Sequence, residues 1–275
     1  MYVIKIGGGA AIDEAAYARF AEDLRPSVDA GEEIIVVHGA NAAFSRRSPA
    51  LGMPPRMITN DKGRVSRYTD RETMDAMLMT YCGTVNKTIV ATFQAAEINA
   101  VGLSAMDGRI ATGRRKPVLR GSEDGKPKVL RDDHAGSIEA IDATLLTLLM
   151  SAGFVPVMTP PALSLTEGRP INVDGDKLAI EIAASLDADT LLFFSDTPGL
   201  LRDRHDEATL IRHIDAGDRE SALASAEGRM AVKVESAIKA VEGGVGRVMF
   251  ADARVERPVS RALAGEGTVI AAGAA

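Results

Sequence analysis

A chain of 275 residues, 46% hydrophobic and 25% charged, has the size and composition of a globular protein built as one large α/β domain or as two lobes sharing a sheet. Its formal net charge of −6 argues against general nucleic-acid binding, and no apolar run is long enough to span a bilayer. A single cysteine, Cys82, excludes an intramolecular disulfide and suits a reducing cytoplasm.

The first element is the strand "YVIKI" (2–6), which starts at once and leaves no room for the basic and apolar regions of a signal peptide. Lys5 lies inside it, and Gly7, Gly8 and Gly9 follow at its carboxyl end. Such a turn lets backbone N–H groups approach an anion, and Lys5 adds a point charge two residues earlier. Neither a Walker A sequence nor G-x-G-x-x-G is present, so the turn alone also fits a plain reversal beside a snorkelling lysine. An unpaired charge inside a core strand is costly, which favours a functional reading. A helical pattern over 12–30 leads to a second strand, "EIIVVHG" (33–39), ending on His38 and Gly39 before Ala40 and Asn41. Two such strand ends can wall one phosphate site, or each can be a simple strand-to-helix turn.

From Asp70 to Glu97 the pattern is helical, with Thr69 or Asp70 as its cap. Arg67, just before that cap, is placed to grip a carboxylate in bidentate fashion or to lie solvated. Cys82 falls inside this helix, as a small core or interface residue rather than a nucleophile. The strand "INAVGLS" (98–104) precedes a concentration of charge. Residues 113–134 carry Arg114, Arg115, Lys116, Arg120, Lys126, Lys128 and Arg131 against Glu123, Asp124, Asp132 and Asp133. "GRRKPVLR", "GSEDGKP" and "KVLRDD" read as strand, turn, strand, with "EDG" making the reversal. The expectation is a basic β-hairpin projecting from an α/β body.

A helix over 137–152 and the strand "FVPVMTP" (154–160) lead to a seam at "SLTEGRPINVDGD" (164–176). There Asn172, Asp174 and Asp176 admit three readings: a Ca²⁺ cluster with an incomplete EF-hand pattern, a helix cap at Asp176, or Asp176 as the charge that holds lysines in place. A helix over 175–187 is followed by the strand "TLLFFSD" (190–196). Ser195, Asp196 and, after Pro198, Gly199 stand at its end, a position suited to nucleotide contacts. A helix over 228–244 sets Lys233 among Ala231, Val232 and Val234. The strands "GRVMFAD" (246–252) and "TVIAA" (268–272) complete the chain. Continuous apolar strands separated by helices define the fold class: α/β, with an open, mostly parallel central sheet sandwiched by helices.

Together, "KIGGG", "VVHG", "RYTDRET", "NKTIV", "AVGLS" with "MDG", "INVDGDKLA", "FFSDTPGLL", "GRMAVKVESA" and "GTVI" resemble the amino acid kinase family and its acetylglutamate-kinase-like branch, in matching order over nearly the whole chain. "SRYTDRETMD", "GRRKP" and "GKPKVLRDDHAG" are similar to the lysine-biosynthesis kinases of that branch. Those act on α-aminoadipate attached through its amino group to a small acidic carrier protein, LysW. The resemblance implies an amino acid kinase (carbamate kinase-like) fold of two lobes. Residues 1–168 would bind substrate and carrier and form a homodimer, and residues 169–275 would bind ATP. It implies ATP-dependent phosphorylation of a side-chain carboxylate, with Mg²⁺ bridging the ATP phosphates through water and phosphate oxygens rather than a protein ligand set.

By the same resemblance, Lys5 and Lys233 stabilise the transferring phosphoryl group from opposite sides, and Asp176 orients both. Gly7, Gly8, Gly9 and Gly39 bring backbone N–H groups to the phosphates. Gly39, Ala40, Arg67 and Asn172 hold the substrate, and Ser195, Asp196 and Gly199 the nucleotide. The basic hairpin would dock the acidic carrier by charge complementarity. The chain departs from ordinary acetylglutamate kinases at "HGAN", which replaces a glycine triplet and reshapes the wall near the substrate's amino end. No helix like that of the family's arginine-inhibited hexamers precedes "MYVIKIGGG", which favours a homodimer. Carrier-bound glutamate, free N-acetylglutamate and a non-catalytic carrier-binding or regulatory role stand as alternatives. The intact set of Lys5, Asp176 and Lys233 weighs against the last, and the basic hairpin weighs against a carbamate kinase.

Overall fold

The seven apolar runs of the sequence fold into one eight-stranded sheet, joined by a short strand, His213–Asp215, that the pattern does not mark. The computed structural model describes residues 1–60, 63, 65–203, 205–224 and 228–273. The chain runs through β1 (Tyr2–Ile6), α1 (Glu14–Asp29), β2 (Ile34–His38) and α2 (Asn41–Arg47). A hairpin of β3 (Arg56–Thr59) and β4 (Val65–Tyr68) precedes α3 (Arg71–Leu78), a π-helical segment (Met79–Val85) and α4 (Asn86–Ala95). Next come β5 (Ala100–Ser104), β6 (Ala111–Arg115), β7 (Val118–Glu123), β8 (Lys126–Arg131) and β9 (Gly136–Ile141). They are followed by α5 (Thr144–Ser151), β10 (Val155–Thr159), β11 (Ala162–Ser164), β12 (Arg169–Ile171), α6 (Gly175–Ser185), β13 (Thr190–Ser195) and β14 (His213–Asp215). The rest comprises α7 (Arg219–Ala224), α8 (Gly228–Glu242), β15 (Arg247–Asp252), α9 (Pro258–Leu263) and β16 (Thr268–Ala271).

The large sheet has the order β14-β16-β15-β13-β1-β2-β10-β5. Its central strands β13, β1, β2 and β10 are parallel neighbours, so their carboxyl ends share one edge, where ligands bind in folds of this type. Alternate residues of β1 enter different layers. Val3, with Ile35, Val37, Leu191 and Phe193, packs toward residues of α6 and α8. Ile4 and Ile6, with Val36, Leu192 and Phe194, pack toward α1, α4 and α9. Burial on both faces is why these strands read as unbroken apolar runs. On α1, the buried Asp23 accepts from Val259 N (2.7 Å) and Ser260 N (2.9 Å), tying the start of α9 to the first helix. Among the described residues, no helix is long and apolar enough to cross a membrane.

Two smaller sheets, β12-β11-β6-β9 and β4-β3-β7-β8, stand beside the large one. They correct two sequence expectations. Residues 137–141, read as the start of a helix, form β9 and pair antiparallel with β6; the helix begins only at Thr144. The basic segment 113–134 is not one hairpin. Pro117, which has no N–H to donate, breaks it, and Ala111–Arg115 joins a different sheet from Val118–Arg131. The hairpin proper is β7–β8. Its "EDG" reversal has Asp124 at φ 50° and Gly125 at φ 74°, the paired left-handed residues that a tight two-residue turn requires.

Candidate active site

Lys5 interrupts an apolar row. On the sheet its register neighbours are Val37 of β2 and Phe193 of β13. Its ammonium lies 2.5 Å from Asp176 Oδ1, with the lysine side chain 14% exposed. Close approach of α6 makes the pair. A Cβ on Gly175 would lie 4.0 Å from Lys5 Cε and 3.8 Å from Pro160 Cγ. Of the three readings of the acidic cluster, the cap belongs to Asp174, whose Oδ1 accepts from Asp176 N (2.8 Å) and Lys177 N (3.1 Å). That leaves the Asp176 carboxylate for Lys5. Among the described residues no three His, Cys, Asp or Glu side chains converge as a metal group.

Lys233 reaches the same face from α8. Its Nζ is 5.8 Å from the Phe250 ring centroid, and Phe250 stacks on Phe193 with centroids 5.0 Å apart. The order across the sheet is therefore Lys5, Phe193, Phe250, with Lys233 above the last; two strand spacings, roughly 10 Å, separate the Lys5 and Phe250 backbones. Asp176 pairs with Lys5, but among the described residues no carboxylate is within ion-pair reach of Lys233. The expected bridge from Asp176 to both lysines is made on one side.

The two glycine turns touch. A Cβ on Gly8 would lie 2.6 Å from Ala40 N and 2.8 Å from Gly39 C, and one on Gly39 would lie 3.0 Å from Gly8 N. At Gly8 any side chain would collide with the second turn's backbone, and at Gly39 one would press tightly on Gly8, so glycine at both positions lets the turns cross closely. Two of the expected phosphate donors are already used: Gly7 N–H bonds Phe194 O (2.9 Å) and Gly39 N–H bonds Ile6 O (3.0 Å). Both bonds extend the sheet by one residue. Gly39 thus contributes close approach rather than a free N–H, while Gly8 and Gly9 N–H have no acceptor among the described residues.

His38, under this crossing, is fully buried. Burial first, then the positive charges of Lys5 and Lys87, pushes its pKa down to about 4, against a backbone hydrogen bond at Gly39 that acts the other way. The unfolded chain therefore binds more protons than the native one between about pH 6.5 and 4. The stability contributed by neutral His38 is fully present above 6.5 and is lost as pH falls toward 4, on the order of 3 kcal/mol in all. Denaturant unfolding at neutral pH and near pH 4 should show a smaller acid loss for His38→Asn than for the wild type.

Around Arg67 the structure assembles residues that local patterns do not mark. The guanidinium carbon sits 4.2 Å over the Phe44 ring, and Nη2 is 3.4 Å from Asn41 Oδ1. Tyr81, on the π-helical segment, donates to the same oxygen at 2.7 Å. Arg67 Nε is buried without an acceptor among the described residues, a donor placed to meet a ligand. Asn172 Nδ2 donates to Thr69 Oγ1 (3.1 Å), two residues from Arg67. Between them runs Asp133, which accepts from Thr69 N (3.0 Å) and Ala135 N (3.3 Å). Burial raises its pKa despite those bonds. Asp70 caps α3 through Thr73 N (2.9 Å). Cys82 is half-buried with its thiol pushed up to about 11 by burial, which fits packing and not nucleophilicity.

Ser195 ends β13 with its hydroxyl 3.1 Å from Thr197 Oγ1. Asp196 is exposed, and its Oδ2 is 4.0 Å from a Cβ built on Gly9. These two border the first glycine turn. Gly199 does not: it is buried at φ 155°, where a side chain would meet Thr268 Oγ1 at 2.7 Å. Its glycine serves packing.

The basic residues divide in the same way. Arg115 is 10% exposed and bonds Asp132 (2.8 Å) and Glu167 (2.7 Å). It locks strand ends and presents no charge to a partner, a correction to its expected docking role. Arg114 pairs with Glu139 at 3.1 Å. Lys116, Arg120, Lys126, Lys128 and Arg131 are exposed, and none has an ion-pair partner among the described residues. Opposite pairing of Arg120 with Val129 and of Val118 with Arg131 sets Arg120 and Arg131 on one face of the hairpin.

The amino acid kinase family model matches residues 1–252. A [LysW]-aminoadipate kinase of Deinococcus radiodurans is 51% identical over 98% of this chain and 91% of that protein. A [LysW]-aminoadipate kinase of Thermus thermophilus is 47% identical over 98% of this chain and 100% of that protein. Among solved structures, N-acetylglutamate synthase from Neisseria gonorrhoeae, complexed with coenzyme A and N-acetyl-glutamate, superposes with a TM-score of 0.79 at 25% identity. That match covers all of this chain and spans 60% of the synthase. The fold, the glycine crossing and these matches agree: the chain belongs to the amino acid kinase family.

Proposed function

We propose that this protein is an ATP-dependent kinase that phosphorylates the side-chain carboxylate of α-aminoadipate carried on LysW, in lysine biosynthesis. The observation that carries the reading is the Lys5–Asp176 ion pair at the glycine crossing, in a chain about half identical, nearly end to end, to kinases of that name. An aminoadipate carboxylate is ionised near pH 7, so no general base is needed. The barrier lies in bringing two anions together, and catalysis is positioning plus charge neutralisation. A carboxylate oxygen attacks the γ-phosphorus of ATP, the bond from that phosphorus to the β–γ bridging oxygen breaks, and ADP leaves.

In this reading Lys5 and Lys233 flank the transferred group, and Asp176 fixes the Lys5 ammonium. N–H groups of Gly8 and Gly9 meet the phosphates, with Gly7 and Gly39 shaping the crossing. Arg67, oriented by Asn41 and stacked on Phe44, receives the substrate's carboxylate, and Ala40 and Asn172 line the same wall. Ser195 and Asp196 border the nucleotide. Mg²⁺ would arrive with ATP and supply charge neutralisation at the phosphates, without a protein ligand set. Residues 1–168 carry substrate and carrier, and residues 169–275 carry ATP. A homodimer and a cytoplasmic setting complete the reading: among the described residues β5 is an edge strand of the large sheet, and one half-buried thiol suits a reducing compartment.

The test is turnover with carrier-linked aminoadipate, carrier-linked glutamate and free N-acetylglutamate, trapping the acyl phosphate with hydroxylamine. The first should react fastest; preference for the free acetylated amino acid would reject the carrier. Arg120→Glu with Arg131→Glu is expected to raise the KM for carrier-linked substrate by ~10-fold and leave the KM for ATP unchanged, because exposed rim charges set encounter and register with an acidic partner. Added salt should weaken the wild type more than this variant. Equal salt dependence would mean that these charges serve solubility only.

A further inference from the structure

His38 has no part in the chemistry above, yet its hydrogen bonds converge on the crossing. The amide of Asn86 settles its tautomer. Asn86 Nδ2 is 2.8 Å from Val157 O, which only accepts, so the amide nitrogen faces that carbonyl. The same Nδ2 is 3.1 Å from His38 Nε2, which must therefore accept. The ring proton is left on Nδ1, 3.2 Å from Gly39 O, where it donates. Gly39 O and Ala40 N–H belong to one trans peptide and point in opposite directions. The far edge of that peptide lies against the first glycine turn, with Ala40 N 2.6 Å from a Cβ built on Gly8. Two more groups nearby are tied: Gly39 N–H donates to Ile6 O (3.0 Å), and His38 O accepts from the Thr159 hydroxyl (3.3 Å).

We propose that His38 is a positioning residue for phosphoryl transfer: anchored at Nε2 by Asn86, it uses Nδ1–H to hold the Gly39–Ala40 peptide in the orientation that keeps the two glycine turns in contact across the site. The proposal rests on the phosphoryl-transfer reading. A buried, satisfied histidine is more often a core residue, so the decisive observations are those that packing alone does not move. Asparagine places an amide N–H where Nδ1 stands, glutamine can place its carbonyl oxygen where Nε2 accepts from Asn86 but leaves the Nδ1 position without a donor, and leucine supplies neither. A site misplaced by about 1 Å loses on the order of 100-fold in rate.

The experiment compares His38→Asn, His38→Gln and His38→Leu for kcat, for the KM of ATP and of carrier-linked aminoadipate, and for Tm. His38→Asn should keep kcat within ~3-fold of wild type, while His38→Gln and His38→Leu lose ~30- to 100-fold in kcat with little change in either KM. Wild-type kcat in the glutamine and leucine variants, or an asparagine variant that falls as far as leucine, overturns the proposal. Nitrogen-15 NMR of the wild-type ring gives an answer even if no variant folds. The neutral Nδ1–H tautomer, untitrated until near pH 4, is expected, and an Nε2–H tautomer overturns the proposal. If the wild type itself fails to phosphorylate carrier-linked aminoadipate, the functional reading falls, and the tautomer still reports on the hydrogen bonding alone.

Discussion

Lys5→Ala is expected to lower kcat by at least ~100-fold, about 2.7 kcal/mol of barrier, while the KM for ATP moves by less than ~3-fold. The asymmetry follows from where charge changes. Bound ATP is anionic before and after Lys5 meets it, and many contacts share in holding it. The transferring phosphoryl group and the incoming carboxylate bring negative charge together only in the transition state, and there a fixed ammonium in a partly buried site acts most strongly. Lys5 is fixed on all sides: by a central strand, by Val37 and Phe193 beside it, and by Asp176 at 2.5 Å. Lys233→Ala should move kcat in the same direction. Its ammonium rests over Phe250 and has no ion-pair partner among the described residues, so it can close on a phosphate. Steady-state rates with carrier-linked aminoadipate check both, and near wild-type turnover in either variant removes that lysine from the reaction.

Lys5 was legible in the sequence because it breaks a rule: a charge inside an apolar strand that ends in glycines. Strands buried on both faces were legible for the same physical reason, since their sequences are continuous apolar runs. Shorter half-exposed strands were not. "RMIT" and "VSRY" form β3 and β4 with no apolar run to mark them. "SIEAI" carries isoleucines at a spacing that suits a helix, and only its pairing with β6 makes it a strand. The environment of Arg67 was hidden for a different reason. Asn41, Phe44 and Tyr81 reach it from distant points of the chain, and the π-helical segment that brings Tyr81 to Asn41 reads locally as ordinary helix. Seven basic residues looked equivalent in sequence, but burial separates Arg115, a strand lock, from Arg120 and Arg131, which face solvent.

The acidic pair at the start of α6 offers a sharper test, because two neighbouring aspartates divide two tasks. Asp174 takes the backbone N–H groups of Asp176 and Lys177, and Asp176 takes Lys5. Asp174→Ala should cost about 1 kcal/mol of stability, the usual worth of a helix cap, and leave kcat within ~3-fold. Asp176→Asn should do the reverse. The cap is untouched and the side chain keeps its shape, so Tm should hardly move. The Lys5 ammonium, however, loses the charge that fixes its position at the crossing, and kcat should fall by ~10- to 100-fold. Thermal unfolding and turnover measured on the same preparations separate the two. If Asp176→Asn loses stability and keeps its rate, Asp176 is structural and the ion pair is not the device that aims Lys5. If instead the rate falls while Tm holds, the charge of Asp176 acts on catalysis through Lys5, whose own removal should be at least as costly.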